Sequence, residues 1–325
     1  MEPIQIVLLV LGIIVGLNLF FILLLSVVLY LIILFRTNKK KWSREEVEII
    51  DDLQKTIYDE GDAWFSRYKD RMQDVEIVSD GYRLAGEYYD FGQDTAVIVV
   101  PGRMETVRYS HYYAEPWRKA GANVLLIDNR AHGHSEGHRN GLGFREYRDV
   151  IRWAEYLHDT LGNAKVFLYG LCIGSQTCVF AAASKKCPEY VPALVVDGLF
   201  GRFSDSFRLH IEERGHKSFP VLELTMFIER LMTGARPMTD GPYKRIKEVK
   251  KPILFLHSRV DQYSLAPVTE KMFEACPSEK KEIVWFEEGG HSRIRLKNQE
   301  RYDAAIAGWF TGTVKANEEK TLDNL

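Results

Sequence analysis

The stretch that most constrains the fold is Lys165 to Thr177, KVFLYGLCIGSQT. Lys165 to Tyr169 is a β-branched and aromatic run, the pattern of a buried strand. Gly170-Leu171-Cys172-Ile173-Gly174 follows, and Ser175 to Ala183 reads as a helix of small residues. Glycines two residues before and after Cys172 give the G-x-C-x-G spacing of a nucleophile elbow, with Cys in the place Ser usually takes. Such a turn is strained, and its glycines remove Cβ atoms that would clash as strand and helix approach. The helix N-terminus then aims free N–H groups and the positive dipole end at the cysteine, which favours thiolate.

Around this turn, strands alternate with helices. Ser79-Asp80-Gly81 sits between two alternating runs and predicts a hairpin. Thr95–Val100, Asn123–Ile127, Ala193–Val196, Ile253–His257 and Lys281–Phe286 read as further strands. Helices are expected at Tyr109–Ala120, Phe144–Leu161 and Glu300–Phe310. The alternation implies a parallel sheet covered on both faces. Leu199 to Lys251 breaks the rhythm and holds an apolar helix over Val221–Met232.

These features together resemble the α/β-hydrolase superfamily, in a group with an N-terminal membrane segment. The resemblance covers roughly residues 75 to 310. It rests on the elbow, on Asp128-Asn129-Arg130-Ala131-His132-Gly133-His134-Ser135, similar to the family loop D-x-R-G-H-G-x-S, and on the order of candidate site residues. It implies a mostly parallel eight-stranded sheet with residues 199–251 as a small helical cap. In this fold the order is nucleophile, acid, histidine. Cys172 is followed by Asp261, after the strand Ile253–His257, and by His291, after the last strand. Asp197 is the alternative acid. The oxyanion hole implied is the backbone N–H of Ile173 and that of Arg103, after Pro101-Gly102 where the family often has His-Gly. The Arg103 side chain is read as solvated, with carboxylate or phosphate binding as the alternative. Ser175 is an unfavoured second nucleophile, being past the apex of the turn. His132, His134 and His138 lie in a loop the family uses structurally, so neither a metal nor another cofactor is expected.

Ile4 to Phe35 carries no charge over 32 residues, where about 20 suffice to cross a bilayer. Arg36, Lys39, Lys40, Lys41 and Arg44 follow, and no Lys or Arg precedes. The positive-inside rule then predicts a single-pass protein of the cell membrane with its body in the cytoplasm. Four cysteines, too few for a disulfide scaffold in 325 residues, agree with a reducing compartment. The net charge is −2, with the basic residues clustered beside the span and a mildly acidic remainder, which makes no case for nucleic acid.

The chain therefore divides into a span with its basic flank (1–42), a linker helix packed on the body (43–72) and a hydrolase domain (73–312). A polar, flexible tail (313–325) completes it. Ser43-Arg44-Glu45-Glu46 is a capping box that predicts the start of the linker helix. The expected function is hydrolysis of an acyl bond (ester, thioester or lactone) through Cys172, His291 and Asp261, by way of a covalent acyl-enzyme. Relatives implied by the resemblance, such as dienelactone hydrolases, use a Cys–His–Asp triad. A thiolate suits activated acyl groups. The expected partners are a small acyl or lipophilic substrate and the lipid bilayer. An acyltransferase with the same triad and an inactive, membrane-attached binding protein are the alternatives.

Overall fold

The computed structural model describes residues 2–322. In chain order the elements are α1 (Pro3–Ile33), α2 (Asp52–Tyr68), β1 (Met72–Ser79), β2 (Tyr82–Tyr89), β3 (Thr95–Val100), α3 (Val107–Ala120), β4 (Asn123–Ile127), α4 (Glu146–Asp159), β5 (Lys165–Leu171) and α5 (Ile173–Ala183). They continue with β6 (Leu194–Asp197), α6 (Phe203–Glu213), α7 (Val221–Thr233), α8 (Pro242–Arg245), β7 (Ile253–Ser258), α9 (Ala266–Ala275), β8 (Lys281–Phe286), α10 (Ile294–Lys297) and α11 (Gln299–Leu322).

The eight strands form one sheet in the order β1-β2-β4-β3-β5-β6-β7-β8. The β1–β2 hairpin and the β2–β4 pair are antiparallel, and every later pair is parallel. Asp80 and Gly81 take φ of +47° and +82° at the hairpin tip, the left-handed pair that a two-residue loop needs to match strand twist. Strands β3 to β7 are buried on both faces, which explains their continuous apolar runs. One face of the sheet packs on α4, α5 and α9 around Trp153, Val179 and Met272. The other packs on α2, α3 and α11 around Trp64, Trp117 and Trp309.

A third apolar cluster decides where the cap sits. Tyr30, Ile33 and Leu34 at the end of α1 pack with Leu222 and Met226 of α7, with Phe203 and Phe207 of α6, and with Ile173 beside the elbow. Helix α1 is long and apolar enough to cross a membrane, with a mean hydropathy of 3.0 over its best window and none of that window buried.

Two expected boundaries move. Ser43 Oγ does accept the Glu46 N–H at 2.8 Å, but no helix follows; α2 begins at Asp52, where Asp51 accepts the Gln54 N–H at 2.8 Å. The reason is Arg44, which is drawn inside to Glu87 (2.9 Å) and Asp128 (2.7 Å). Two buried charge-assisted bonds outweigh a local cap. At the other end, α11 continues past Phe310 to Leu322, so the expected tail starts inside a helix; residues 323–325 lie outside the described residues.

The basic flank of α1 is also partly consumed by the fold. Arg36 donates to the carbonyls of Gly133 and Lys39. The Lys41 ammonium caps the end of α1, donating to Leu31 (2.7 Å), Ile32 (2.7 Å) and Phe35 (2.6 Å). With Arg44 buried, Lys39 and Lys40 are the exposed flank charges, Lys40 lying 2.8 Å from Glu46.

Candidate active site

Cys172 stands between β5 and α5 at φ +52°, ψ −112°, a conformation an L-residue holds only when its surroundings enforce it. The surroundings are on both sides. A Cβ on Gly170 would lie 2.4 Å from the Gly174 carbonyl, and a Cβ on Gly174 would lie 2.0 Å from the Val100 oxygen. Only glycine allows α5 to approach β5 and β3 this closely. The Cys172 N–H donates to Asp197 O at 2.9 Å, and its carbonyl accepts from Ser175 at 3.0 Å. Ser175 is fully buried; its hydroxyl donates to the carbonyls of Gly170 (2.6 Å) and Asp197 (2.8 Å). It fastens helix to strand and does not face the cleft.

Asp261 and His291 come together from the loops after β7 and β8. His291 Nδ1 and Asp261 Oδ2 are 2.8 Å apart, with the His291 side chain 11% exposed. The other Asp261 oxygen accepts the N–H groups of Tyr263 (2.8 Å) and Ser264 (2.7 Å). Burial alone would raise the Asp261 carboxyl; the adjacent His291 and then the Ser264 N–H outweigh it and hold the group below its usual range. Burial likewise works against a charged His291, but Asp261 and then Cys172 push it well above the ordinary imidazole value. His291 Nε2 is buried and makes no hydrogen bond of standard geometry among the described residues, while Cys172 lies within its electrostatic reach. Catalytic contacts are commonly long in the unliganded state. Gly198, at φ +64°, leaves the space that the imidazole fills: a Cβ there would lie 3.3 Å from the ring.

Asp197 is differently occupied. It accepts from the Tyr302 hydroxyl at 2.6 Å, and Tyr302 meets Tyr169 at 2.5 Å. Burial pushes its carboxyl up to about 7. Geometry therefore pairs His291 with Asp261 and leaves Asp197 in a tyrosine network.

The loop carrying Arg103 is pinned at several points. Gly102 N–H donates to Glu105 Oε2 at 2.8 Å, Met104 N–H to His132 Nε2 at 3.3 Å, and Val107 N–H to Asp128 Oδ1 at 3.1 Å. The backbone N–H groups of Arg103 and Ile173 have no partner among the described residues. The Arg103 side chain is half-buried at the cleft wall, where a free surface charge was expected. Its guanidinium lies over the Phe207 ring, 3.4 Å from the Ile33 carbonyl, drawn there because the cap and the end of α1 close over the loop. Burial lowers its guanidinium from the usual arginine range, and the nearby Cys172 and Glu105 oppose this.

The three loop histidines diverge. His132 is buried against Trp42, with ring centroids 4.5 Å apart, and burial lowers it to about 4. His134 meets Glu45 at 2.9 Å, and His138 stacks on Phe35. Among the described residues no group of three His, Cys, Asp or Glu is placed to hold a metal ion.

A cleft of about 1590 Å³ opens above Cys172 and His291. Its walls include Arg103, Glu105, His210 and Tyr263, and also Val28, Leu31 and Ile32 of α1. Sequence reasoning missed His210, Glu105 and the α1 wall. Glu105, two residues past the proposed oxyanion donor, was the one with a positional signal; burial pushes its carboxyl up to about 7. Nothing in the sequence couples residue 28 to residue 172.

Residues 95–220 match the family model described as the alpha/beta hydrolase fold. The uncharacterized protein YqkD of Bacillus subtilis (strain 168) is 27% identical over 263 residues, covering 79% of this chain and 85% of the relative. Among solved structures, the Pyrococcus furiosus esterase Pf2001 superposes with a TM-score of 0.63 at 18% identity, covering 77% of this chain and 94% of that one. The alpha/beta hydrolase GrgF from Penicillium sp. sh18 gives 0.59 at 16% identity, with 74% and 98% covered. Sheet order, elbow geometry and these likenesses converge: the chain has the α/β-hydrolase fold, with cysteine at the apex of its elbow.

Proposed function

We propose that this protein is an esterase-like hydrolase that cleaves an activated acyl bond through Cys172, His291 and Asp261. The observation that carries the reading is the meeting of three groups from separate loops under an open cleft: a strained, half-buried cysteine, an imidazole with a free buried nitrogen, and a carboxylate fixing the other nitrogen. In this mechanism His291 Nε2 takes the Cys172 thiol proton, and the thiolate attacks the acyl carbonyl. The N–H groups of Ile173 and Arg103 hold the oxyanion. The tetrahedral adduct expels an alkoxide or thiolate, which leaves with the proton from His291. Water, deprotonated by His291, then attacks the acyl thioester; the acid departs and the thiol is restored. Thioesters and lactones fit best, because a thiolate is itself a good leaving group and returns from a simple ester or amide adduct. An acceptor other than water in the same cleft would make the reaction an acyl transfer. The open cleft favours catalysis over the inactive binding protein.

Helix α1 is read as a single membrane span, and Lys39 and Lys40 at its end favour a cytoplasmic body. The esterase named above supports an ester-like substrate for this site by likeness of fold.

Limiting iodoacetamide labelling of the full chain in detergent, followed by mass spectrometry, tests the assignment. Burial raises the thiols of Cys178, Cys187 (to about 11) and Cys276, so these should label slowly. Cys172 should label at least tenfold faster near neutral pH and lose that lead in His291→Ala. Equal labelling of Cys172 and Cys187 in the parent protein would sink the activated-nucleophile reading.

A further inference from the structure

Helix α7 carries two apolar faces. Leu222 and Met226 point inward to the cluster shared with α1 and Ile173. Leu224, Phe227 and Leu231 recur at i, i+3 and i+7, the spacing of a face meant for burial, with Ile228 at its edge packed against the inner cluster. Yet Phe227 is 45% exposed and Leu231 68%, with Phe219 before the helix at 72%.

The depth of this face is set by α1. Its residues from Ile4 to Leu25 touch almost nothing in the body. At 1.5 Å per residue they extend about 33 Å, close to the roughly 30 Å of a bilayer hydrocarbon core. Packing begins where that length ends. Ser26, Tyr30 and Ile33 are buried, and the Thr225 hydroxyl donates to Ser26 O at 3.1 Å. With residues 4–25 taken as the hydrocarbon-spanning length, helix α7 is fastened to the span at the level where hydrocarbon gives way to headgroups. On the remaining side of the same two turns of α1, Val28, Leu31 and Ile32 stay exposed and form a wall of the cleft that holds Cys172.

We propose that the outer face of α7 and the last two turns of α1 form one surface embedded in the bilayer, and that the cleft draws a long-chain acyl lipid laterally from that leaflet to Cys172. The proposal rests on the readings of α1 as a span and of Cys172 as an acyl site. It names the substrate class: the acyl chain stays in apolar surroundings along Val28, Leu31 and Ile32, while its carbonyl end reaches the polar floor between Arg103 and His291. A soluble short-chain acyl group would gain nothing from this wall.

The full chain in phosphatidylcholine vesicles containing a diazirine-acyl phosphatidylcholine gives a test independent of catalysis. Photolysis and peptide mapping should place adducts on residues 221–233 and 27–32 as well as on residues 4–25. Adducts confined to residues 4–25 would overturn the proposal. In the same vesicles, Phe227→Asp and Leu231→Asp should keep turnover of a water-soluble acetyl thioester within twofold. Both should lose at least tenfold on a phosphatidylcholine with thioester-linked acyl chains. Equal loss on both substrates, or loss on neither, would also overturn it. Adducts on α7 with no turnover of either thioester by the parent protein would leave the bilayer surface standing and defeat the acyl-hydrolase reading instead.

Discussion

Glu229 offers a stability prediction whose size follows from its surroundings. It lies on the inner side of α7, fully buried. One carboxyl oxygen accepts the Thr233 hydroxyl at 2.6 Å, and the other is buried with no partner. Burial is the main cause that pushes this carboxyl up to about 8; Glu146 adds to the rise, while the Thr233 bond, Arg139 and Arg145 oppose it. In the unfolded chain a glutamate titrates near 4.3. The folded state therefore binds the proton more tightly. The stability this confers is complete below about pH 4, falls as pH climbs towards 8, and changes no further above that. At about 1.4 kcal/mol per pH unit, the loss between pH 4.5 and 7 reaches up to about 3 kcal/mol. Glu229→Gln keeps the shape and a Thr233 partner but cannot ionise. Its melting temperature should match the parent at pH 4.5 and exceed it by roughly 5–10 °C at pH 7 to 8. Thermal melts of full-length parent and variant across pH 4.5–8.5 make the comparison. Other raised carboxyls, such as Asp197 and Glu105, are common to both proteins and cancel in the difference. A difference that does not vary with pH, or a variant less stable at pH 8, would refute the reasoning.

Further outcomes follow from the same geometry. Asp261→Asn should lower thioester hydrolysis by about 10²–10⁴ through loss of the imidazole's orientation, whereas Asp197→Asn should leave turnover within threefold; steady-state kinetics of the two variants side by side decides between the acids. Arg44→Ala leaves Glu87 and Asp128 buried without their guanidinium, and should cost about 3–5 kcal/mol in denaturant melts. Gly174→Ala puts a Cβ 2.0 Å from a backbone oxygen; because backbone must move to admit it, this variant should fail to accumulate as folded protein when expression and solubility are compared with Gly308→Ala in α11, where the added Cβ meets nothing within 4 Å.

Much of the body was legible because its signals are local. The continuous apolar runs of β3 and β5 report strands covered on both faces. The spacing of Gly170 and Gly174 about Cys172 reports a turn whose two flanking positions admit only glycine. That Asp261 and His291 would meet was legible because both follow neighbouring parallel strands at one end of the sheet, so position along the chain stood in for position in space. The uncharged run from Ile4 to Phe35 likewise needs no tertiary knowledge, since membrane-crossing length is a property of consecutive residues.

What depended on distant partners was not legible. The capping box at Ser43 is real as a hydrogen bond, but its helix lost to the pull of Arg44 toward Glu87 and Asp128, residues more than forty positions away. Arg103 reads as a surface charge until the cap and the end of α1 close over it. The choice between Asp197 and Asp261 fell to a 2.8 Å contact that periodicity does not encode. The wall that α1 lends to the cleft is the clearest case. Hydropathy alone determined that residues 4 to 35 are suited to a bilayer. Only the packing of Ser26, Tyr30 and Ile33 against α7 decided that this helix also borders the site, because close packing of a cap on a span is set by complementary shape across nearly two hundred residues of sequence.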